Sequence, residues 1–315
     1  MSNSLPLVTI VTSTYKQVRY LRKAIDSVLS QDYPAIEYRV INDGSPDGTE
    51  EILRSYGDRF YWETQPNLGE TPTLNKAIQM AKGDLIAKLS SDDYLYPNAI
   101  SEMVQKFIKN PELVVVYSDF DVVDEDDIVV MKIQKPDYNL TSMVKNHLCL
   151  PGPGAVFRKA IFEKLNGFDT QFQILFDMHF WWRAGLMGSF ARVPKSLSAF
   201  RQHTLSQSST GGEKMAEETI QCVENFFSLP NLPRSITRIK AEAFSNAYYS
   251  AGTQSSLGKS DLTMYRSYLR KSFLIAPYNY FRPSNRGKLI TLIGVMISPK
   301  IVPLIKKVLR KGVNS

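Results

Sequence analysis

Two acidic clusters hold the side chains best suited to chemistry. The first is Asn42-Asp43-Gly44-Ser45-Pro46-Asp47-Gly48-Thr49, at the end of the strand-like run Tyr38 to Ile41. The second is Leu89-Ser90-Ser91-Asp92-Asp93, at the end of an apolar run that starts at Leu85. Carboxylates placed where buried strands emerge lie on the rim of a sheet, and in open α/β sheets ligands bind at that rim. A hard divalent cation needs only one or two carboxylates when phosphate oxygens and water complete its shell. The two clusters therefore point to a cation that neutralises a diphosphate.

The elements that must position these acids are legible upstream and downstream. Leu7 to Thr12 reads as a buried strand, and Val18 to Ser30 has helical spacing in Leu21, Ala24, Ile25, Val28 and Leu29. Asp47 is expected to cap a helix running to Tyr56, with Glu50 and Glu51 in its first turn. Phe60 to Glu63 is a short strand, Thr71 to Ala81 a helix closed by Gly83, and Leu85 to Leu89 a strand. Asn98 to Lys109 is a helix stopped before Pro111, and Leu113 to Tyr117 a strand. Alternation of this kind predicts parallel strands with helices on both faces, which puts both clusters on one carboxyl edge.

The pattern changes after residue 118. Asp119 to Asp127 is acidic, and Ile128 to Ile133 reads as an excursion strand. Ala155 to Phe157 is a short strand behind Pro151-Gly152-Pro153-Gly154, where the glycines are either turn residues or a place for backbone to approach an acceptor. Lys159 to Leu165 and Phe176 to Gly185 read as helices, and Phe190 to Phe200 as an extended segment leading into Arg201-Gln202-His203. Residues 212–274 read as helices with a break at Pro230 to Pro233. Leu289 to Ile297 and Ile301 to Leu309 read as two interfacial helices, because Pro299 and Lys300 interrupt the ~20 apolar residues that a membrane span needs.

Composition sets the outer limits. A chain of 315 residues, 43% hydrophobic and 22% charged, can bury one large domain with an appendage. The reading divides it into a domain over 1–210, a helical extension over 211–280 and a basic amphipathic segment over 281–315. Cys149 and Cys222 lie too far apart for a metal motif or a disulfide framework, which fits a reducing, cytoplasmic compartment. Met1 to Pro6 lacks the charged and apolar parts of a signal peptide. Residues 201–315 carry 17 basic against 6 acidic side chains, and the rest 21 against 25. A membrane surface suits that basic end better than nucleic acid, because the charges flank apolar stretches; the same helices would equally serve a homodimer interface. No nucleic-acid partner is expected.

The ordered set of short motifs resembles a known family. Val11-Thr12-Ser13-Thr14-Tyr15, Ser27 to Gln31, Asn42 to Thr49, Asn67-Leu68-Gly69, Leu74-Asn75-Lys76-Ala77, Ser91-Asp92-Asp93, Asn166-Gly167-Phe168-Asp169 and Phe176-Asp177 to Arg183 follow the order and spacing of inverting family-2 glycosyltransferases. The resemblance spans roughly residues 5–205. It implies the A-type glycosyltransferase fold: Rossmann-like α/β, with a mixed, mostly parallel sheet flanked by helices and here a C-terminal helical appendage. It implies a nucleotide-diphosphosugar donor, with UDP-sugars leading by family frequency, and a Mg2+ or Mn2+ ion. The acceptor would be a saccharide or lipid-linked saccharide hydroxyl in surface polysaccharide or glycoconjugate assembly. The setting is then the cytoplasm, at the inner face of the membrane if the basic end docks there.

By the same resemblance, Ser13, Thr14, Tyr15, Asp43, Asn75 and Asp92 belong to donor binding, Asp93 and His203 to the metal, and Asp177 is the catalytic base. Ser206 and Ser208 lie just beyond His203, and Lys76 and Arg158 are further candidates for the diphosphate. The family often has an acid where this chain has Ser90, and another where it has Phe176. The residues alone leave plainer roles open: turn chemistry for Asp43, a helix cap or a pair with Arg183 for Asp177, a surface position for His203. Two enzyme classes with a similar sheet are disfavoured. After the first strand there is Ser13-Thr14-Tyr15-Lys16-Gln17, neither a nicotinamide-type Gly-x-Gly-x-x-Gly nor the Gly-rich basic loop that holds a triphosphate. A non-catalytic nucleotide-sugar-binding member of the same fold is the remaining alternative.

Overall fold

The computed structural model describes residues 5–203, 212–258 and 262–297. They form two compact units: Met1–Leu140 with Cys149–Ser206, and Thr141–Leu148 with Gln207–Ser315. Each is described by itself.

The first unit runs β1 (Val8–Thr14), α1 (Val18–Leu29), β2 (Ile36–Asn42), α2 (Thr49–Ser55), β3 (Tyr61–Thr64), α3 (Glu70–Gln79), β4 (Leu85–Lys88), β5 (Tyr94–Leu95), α4 (Ala99–Lys109), β6 (Leu113–Val123) and β7 (Val129–Ile133). After α5 (Leu140–Lys145), which belongs almost wholly to the second unit, the first unit resumes with β8 (Val156–Arg158), α6 (Lys159–Lys164), α7 (Phe176–Ala184) and β9 (Ser189–Arg201). Among the described residues the strands make one mixed sheet in the order β3-β2-β1-β4-β8-β6-β9-β5, with β7 paired to β6. Strands β3, β2, β1 and β4 are mutually parallel, as the alternation predicts. β8 enters antiparallel between β4 and β6, and β6 is parallel to β9. The strand expected to end at Tyr117 runs six residues further, so that the acidic stretch from Asp119 begins inside β6.

The central strands are buried along nearly their whole length, as expected of a sheet covered on both faces. Helix α1 sends Leu21, Ala24, Ile25 and Val28 into the core, and α4 sends Ile100, Met103, Val104 and Phe107. Both stripes follow helical spacing.

Two local expectations are corrected. Asp47 does not cap its own helix: α2 begins after Gly48, in the left-handed conformation, with no side-chain cap. The Asp47 carboxylate instead accepts from the Val18 N–H at 3.2 Å, so it caps α1 across the sheet edge. Gly83 does not close α3, which ends at Met80; Gly83 lies across the start of β1 and donates its N–H to Thr9 Oγ1 at 2.9 Å.

In the second unit, helices Gly212–Ser228, Lys240–Gly258, Leu262–Ile275 and Arg286–Ile297 follow the expected break. Tyr265, Leu269, Tyr280, Leu292 and Val295 form a core there. No helix of the described residues is long and apolar enough to cross a membrane. The segment Ile301 to Leu309 lies outside the described residues.

Each unit buries an imidazole. In the second, His147 donates Nε2–H to the Ala243 carbonyl at 3.0 Å; in the first, His179 on the buried side of α7 packs against Phe172. Burial lowers both pKa values to about 4. Unfolded, these groups take up protons below about pH 6.5; folded, they stay neutral until about 4. The unfolded state therefore binds more protons across that window, and stability falls as pH drops through it. Each imidazole is worth up to about 3 kcal/mol. Urea midpoints should fall steeply between pH 7 and pH 5, and a flat profile would contradict this burial.

Candidate active site

The carboxyl ends of β1, β2 and β4 lie side by side, since Thr14 pairs with Asn42 and Val11 with Lys88. The first acidic cluster leaves β2 in a tight turn. Asp43 donates its N–H to the Thr14 carbonyl at 2.9 Å. Gly44 follows with φ +75°, where a Cβ would press on Asn67 N and Gln65 O at 3.0 and 3.1 Å; only glycine fits without strain. The Asp43 carboxylate, 2% exposed, serves that same loop. Oδ1 accepts from Gln65 Nε2, Leu68 N and Thr73 Oγ1, each at 2.9 Å, and Oδ2 from Gly69 N at 2.8 Å. Three of these donors come from residues 65–69 and the fourth from α3, so Asp43 clamps that loop to the helix; Oδ2 retains acceptor capacity.

The second cluster is built around Arg201, the last residue of β9 and only 2% exposed. Its backbone N–H donates to Asp93 Oδ1 at 2.9 Å. Its guanidinium donates to the carbonyls of Asp92 and Asp124 at 2.9 and 2.8 Å and to the Asp127 carboxylate. The ring of Tyr20, from α1, lies 4.6 Å from the guanidinium carbon. His203 Nε2 is 3.1 Å from Asp92 Oδ2, so the two residues expected near ribose and metal already touch. Burial, and then the Asp92 charge, push the Asp93 carboxyl well above the usual carboxylate range. Such a group gains most from a cation.

Asp177 occupies the first turn of α7, where Cys149 Sγ approaches its Oδ2 at 3.7 Å. Asp177 and Asp93 line one cavity of about 210 Å3, together with Lys88, Ser90, Lys135, Cys149 and the rings of Phe120, Trp181 and Phe200. That is below the ~300–1,000 Å3 of drug-sized ligand sites and suits a sugar-sized group. Burial pulls the Lys88 ammonium down, but Glu70 at 3.1 Å, with Asp177 and Asp93, holds it above its ordinary value.

The remaining expected residues divide. Ser13 and Thr14 end β1 beside the Asp43 turn, and Thr14 Oγ1 is buried without a hydrogen-bond partner among the described residues. Tyr15 is 41% exposed, with the Lys16 ammonium 5.0 Å from its ring. Asn75 is not in the cavity: its Nδ2 donates to the Phe168 carbonyl at 2.8 Å and its Oδ1 accepts from Phe168 N at 2.9 Å. Both amide ends fasten α3 to the Asn166-Gly167 turn. Arg158 is at the opposite end of the sheet, opposite Leu85, donating to the carbonyls of Leu113 and Pro111. Lys76 is taken by Glu63 and Gln65. Ser206 and Ser208 lie outside the described residues. Lys135, Cys149 and Phe120 were not singled out from sequence; a lone lysine after an excursion strand carries no spacing signal.

Among the described residues no three His, Cys, Asp or Glu side chains converge as a preformed metal cage. The donor set of Asp93 and Asp92 with the imidazole of His203 fits instead a cation that takes one or two carboxylates and completes its shell from phosphate oxygens and water. Replacing Arg201 with Met should leave the Asp92 and Asp124 carbonyls without their guanidinium donor and Asp127 with Lys23 alone, and cost about 1–3 kcal/mol. Urea denaturation of the variant checks this; a loss under ~1 kcal/mol would show that Arg201 is not the tie inferred here.

Known proteins resemble the chain in sequence and in fold. The family model "Glycosyl transferase family 2" matches residues 9–179. An uncharacterized glycosyltransferase of Rickettsia typhi is 30% identical over 221 residues, 67% of this chain and 69% of that protein. Hyaluronan synthase of Pasteurella multocida is 28% identical over 201 residues, 61% of this chain but 20% of that protein. S. aureus TarS 1-349 in complex with UDP-GlcNAc has a TM-score of 0.69 at 18% identity, covering 97% of this chain and 92% of that one. The mannosyltransferase PcManGT of Pyrobaculum calidifontis, solved with GDP-Man and Mn2+, has a TM-score of 0.60 at 14% identity, with 95% and 88% covered. The mixed α/β fold with its helices is thus the A-type glycosyltransferase fold, and the chain belongs to glycosyl transferase family 2.

Proposed function

We propose that this glycosyltransferase moves one sugar from a nucleotide-diphosphosugar, a UDP-sugar before others, to an acceptor hydroxyl with inversion. The observation that carries the reading is that Asp177 and Asp93 face one cavity at the carboxyl edge of the sheet. Support for the donor comes from the TarS complexes with UDP and UDP-GlcNAc, and for the metal from the Mn2+ complex of PcManGT.

In this reading the base stacks near Tyr15 and hydrogen-bonds to the β1 end at Ser13 and Thr14 and to the remaining capacity of Asp43. Asp93, with Asp92 and His203 beside it, holds Mg2+ or Mn2+. Such an ion, when bound, supplies Lewis-acid neutralisation of the departing diphosphate oxygen. Asp177 takes the proton of the acceptor hydroxyl as it attacks the anomeric carbon from the face opposite the leaving group. Phe120, Trp181 and Phe200 supply apolar faces for a sugar ring and thin out the water around the transferred proton. The acceptor belongs to a surface polysaccharide or glycoconjugate, free or lipid-linked. The basic C-terminal segment offers a contact with a membrane surface.

Asp177→Asn is expected to lower kcat by about 10²–10⁴-fold, the usual worth of a general base. It should leave the UDP-induced rise in melting temperature with Mn2+ intact. Asp93→Ala should abolish turnover and lose that metal-dependent rise. Full activity in Asp93→Ala would refute the metal assignment. Absence of any donor turnover in the parent protein would favour the non-catalytic alternative.

A further inference from the structure

The cavity holds two ammonium groups, and they are treated differently. Lys88 is neutralised by Glu70 at 3.1 Å. Lys135 has no carboxylate within ion-pair distance among the described residues. Its Nζ donates to the Cys149 carbonyl at 2.9 Å and lies 5.1 Å from the centre of the Phe120 ring.

The lysine is presented from a braced segment. Just after β7, the Lys135 N–H donates to Asp119 Oδ1 at 2.9 Å, and the Pro136 carbonyl accepts from Tyr117 Oη at 2.7 Å. Asp119 is itself fixed by the Arg192 fork at 2.8 and 2.6 Å. A side chain kept in a cavity at that cost in order, with no carboxylate in direct contact among the described residues, has room to take one from a ligand. Burial lowers its pKa, against the opposing pull of Cys149, Asp177 and Asp119. An incoming anion would favour the charged form further.

Its place within the cavity favours the acceptor over the donor. The residue that receives the Lys135 ammonium, Cys149, is the residue whose thiol meets Asp177. None of the acids read as donor-side groups, Asp43, Asp92 and Asp93, is within ion-pair distance of it among the described residues. The aromatic lining suits a sugar ring or a polyol between the two.

We propose that the cavity takes an acceptor bearing a carboxylate or a phosphate, and that Lys135 is the residue that reads that charge. This rests on Asp177 being the base of the transfer reaction. Lys135 donates a charge-assisted hydrogen bond to the anion while the acceptor hydroxyl meets Asp177. A neutral acceptor of the same shape forfeits that bond and leaves the ammonium unpaired.

The test is binding by saturation-transfer NMR to the full chain with UDP and Mn2+. The probes are matched neutral and anionic pairs: methyl glucoside and methyl glucuronide, galactoside and galacturonide, ribitol and ribitol phosphate. At least one anionic member should bind about tenfold or more tightly than its neutral partner. Lys135→Met should erase the preference and Lys135→Arg should keep it, both with parental melting temperatures. No charge-separated pair in the parent, or a preference that survives in Lys135→Met, overturns the proposal. A parallel comparison of UDP-glucose with UDP-glucuronate locates the charge: loss of donor discrimination in Lys135→Met, with acceptor binding unchanged, overturns the acceptor assignment. UDP binding by the parent is read first, so a failure of the donor reading is seen separately.

Discussion

The buried guanidinium of Arg201 is the constraint on which the candidate site depends. It ends β9 inside the protein, where an arginine is stable only if every donor is met. The partners that meet it are the backbone of Asp92, the loop at 124–127 and the ring of Tyr20, while its own N–H holds Asp93. One side chain thus fixes the end of β9, the turn after β4 and the face of α1 to each other. Two adjacent carboxylates would otherwise have little reason to be held at a sheet edge with their charge poorly solvated. The strain of that arrangement is visible in Asp93, whose acid form is favoured by burial and by Asp92.

The opposite wall is organised by the shape of the sheet. Because β8 runs antiparallel between β4 and β6, the Pro151–Ala155 turn that precedes it comes back over the β4 carboxyl edge. Helix α7 then delivers Asp177 in its first turn to the same cavity. The aromatic network under it, Phe157, Phe162, Phe168, Phe180 and Trp181 with ring centres about 5 to 6.5 Å apart, gives that turn a rigid floor. The position of Asp177 is therefore a packing result, and that of Asp92 and Asp93 an electrostatic one.

The half of the fold with local logic was legible in the sequence. Strands β1 to β4 and their helices follow from apolar runs, helical stripes and turn residues, and the acids at their ends follow from strand direction. What was not legible depends on contacts far apart in the chain. Asp47 looks like a cap for the helix that follows it, and nothing local says that its carboxylate reaches Val18. Asn75 sits within a motif, and nothing local says that its amide bonds Phe168, 93 positions away. Lys135 and Cys149 enter the cavity only because β6 is long enough to carry its hairpin there. The length of β6, in turn, was hidden by acidic residues: Asp119 and Asp121 sit inside it because Arg192, Tyr96 and Ser196 satisfy their carboxylates.

The central claim is spatial: one cavity has a metal-bearing acid on one side and the base on the other. A crystal structure of the chain with UDP and Mn2+ measures it directly. The account predicts Mn2+ at bonding distance from Asp93 and a diphosphate oxygen, with the diphosphate pointing into the cavity and Asp177 on the wall across from it. Nucleotide bound away from the β1–β4 edge, or Asp177 on the diphosphate side of the metal, would contradict it.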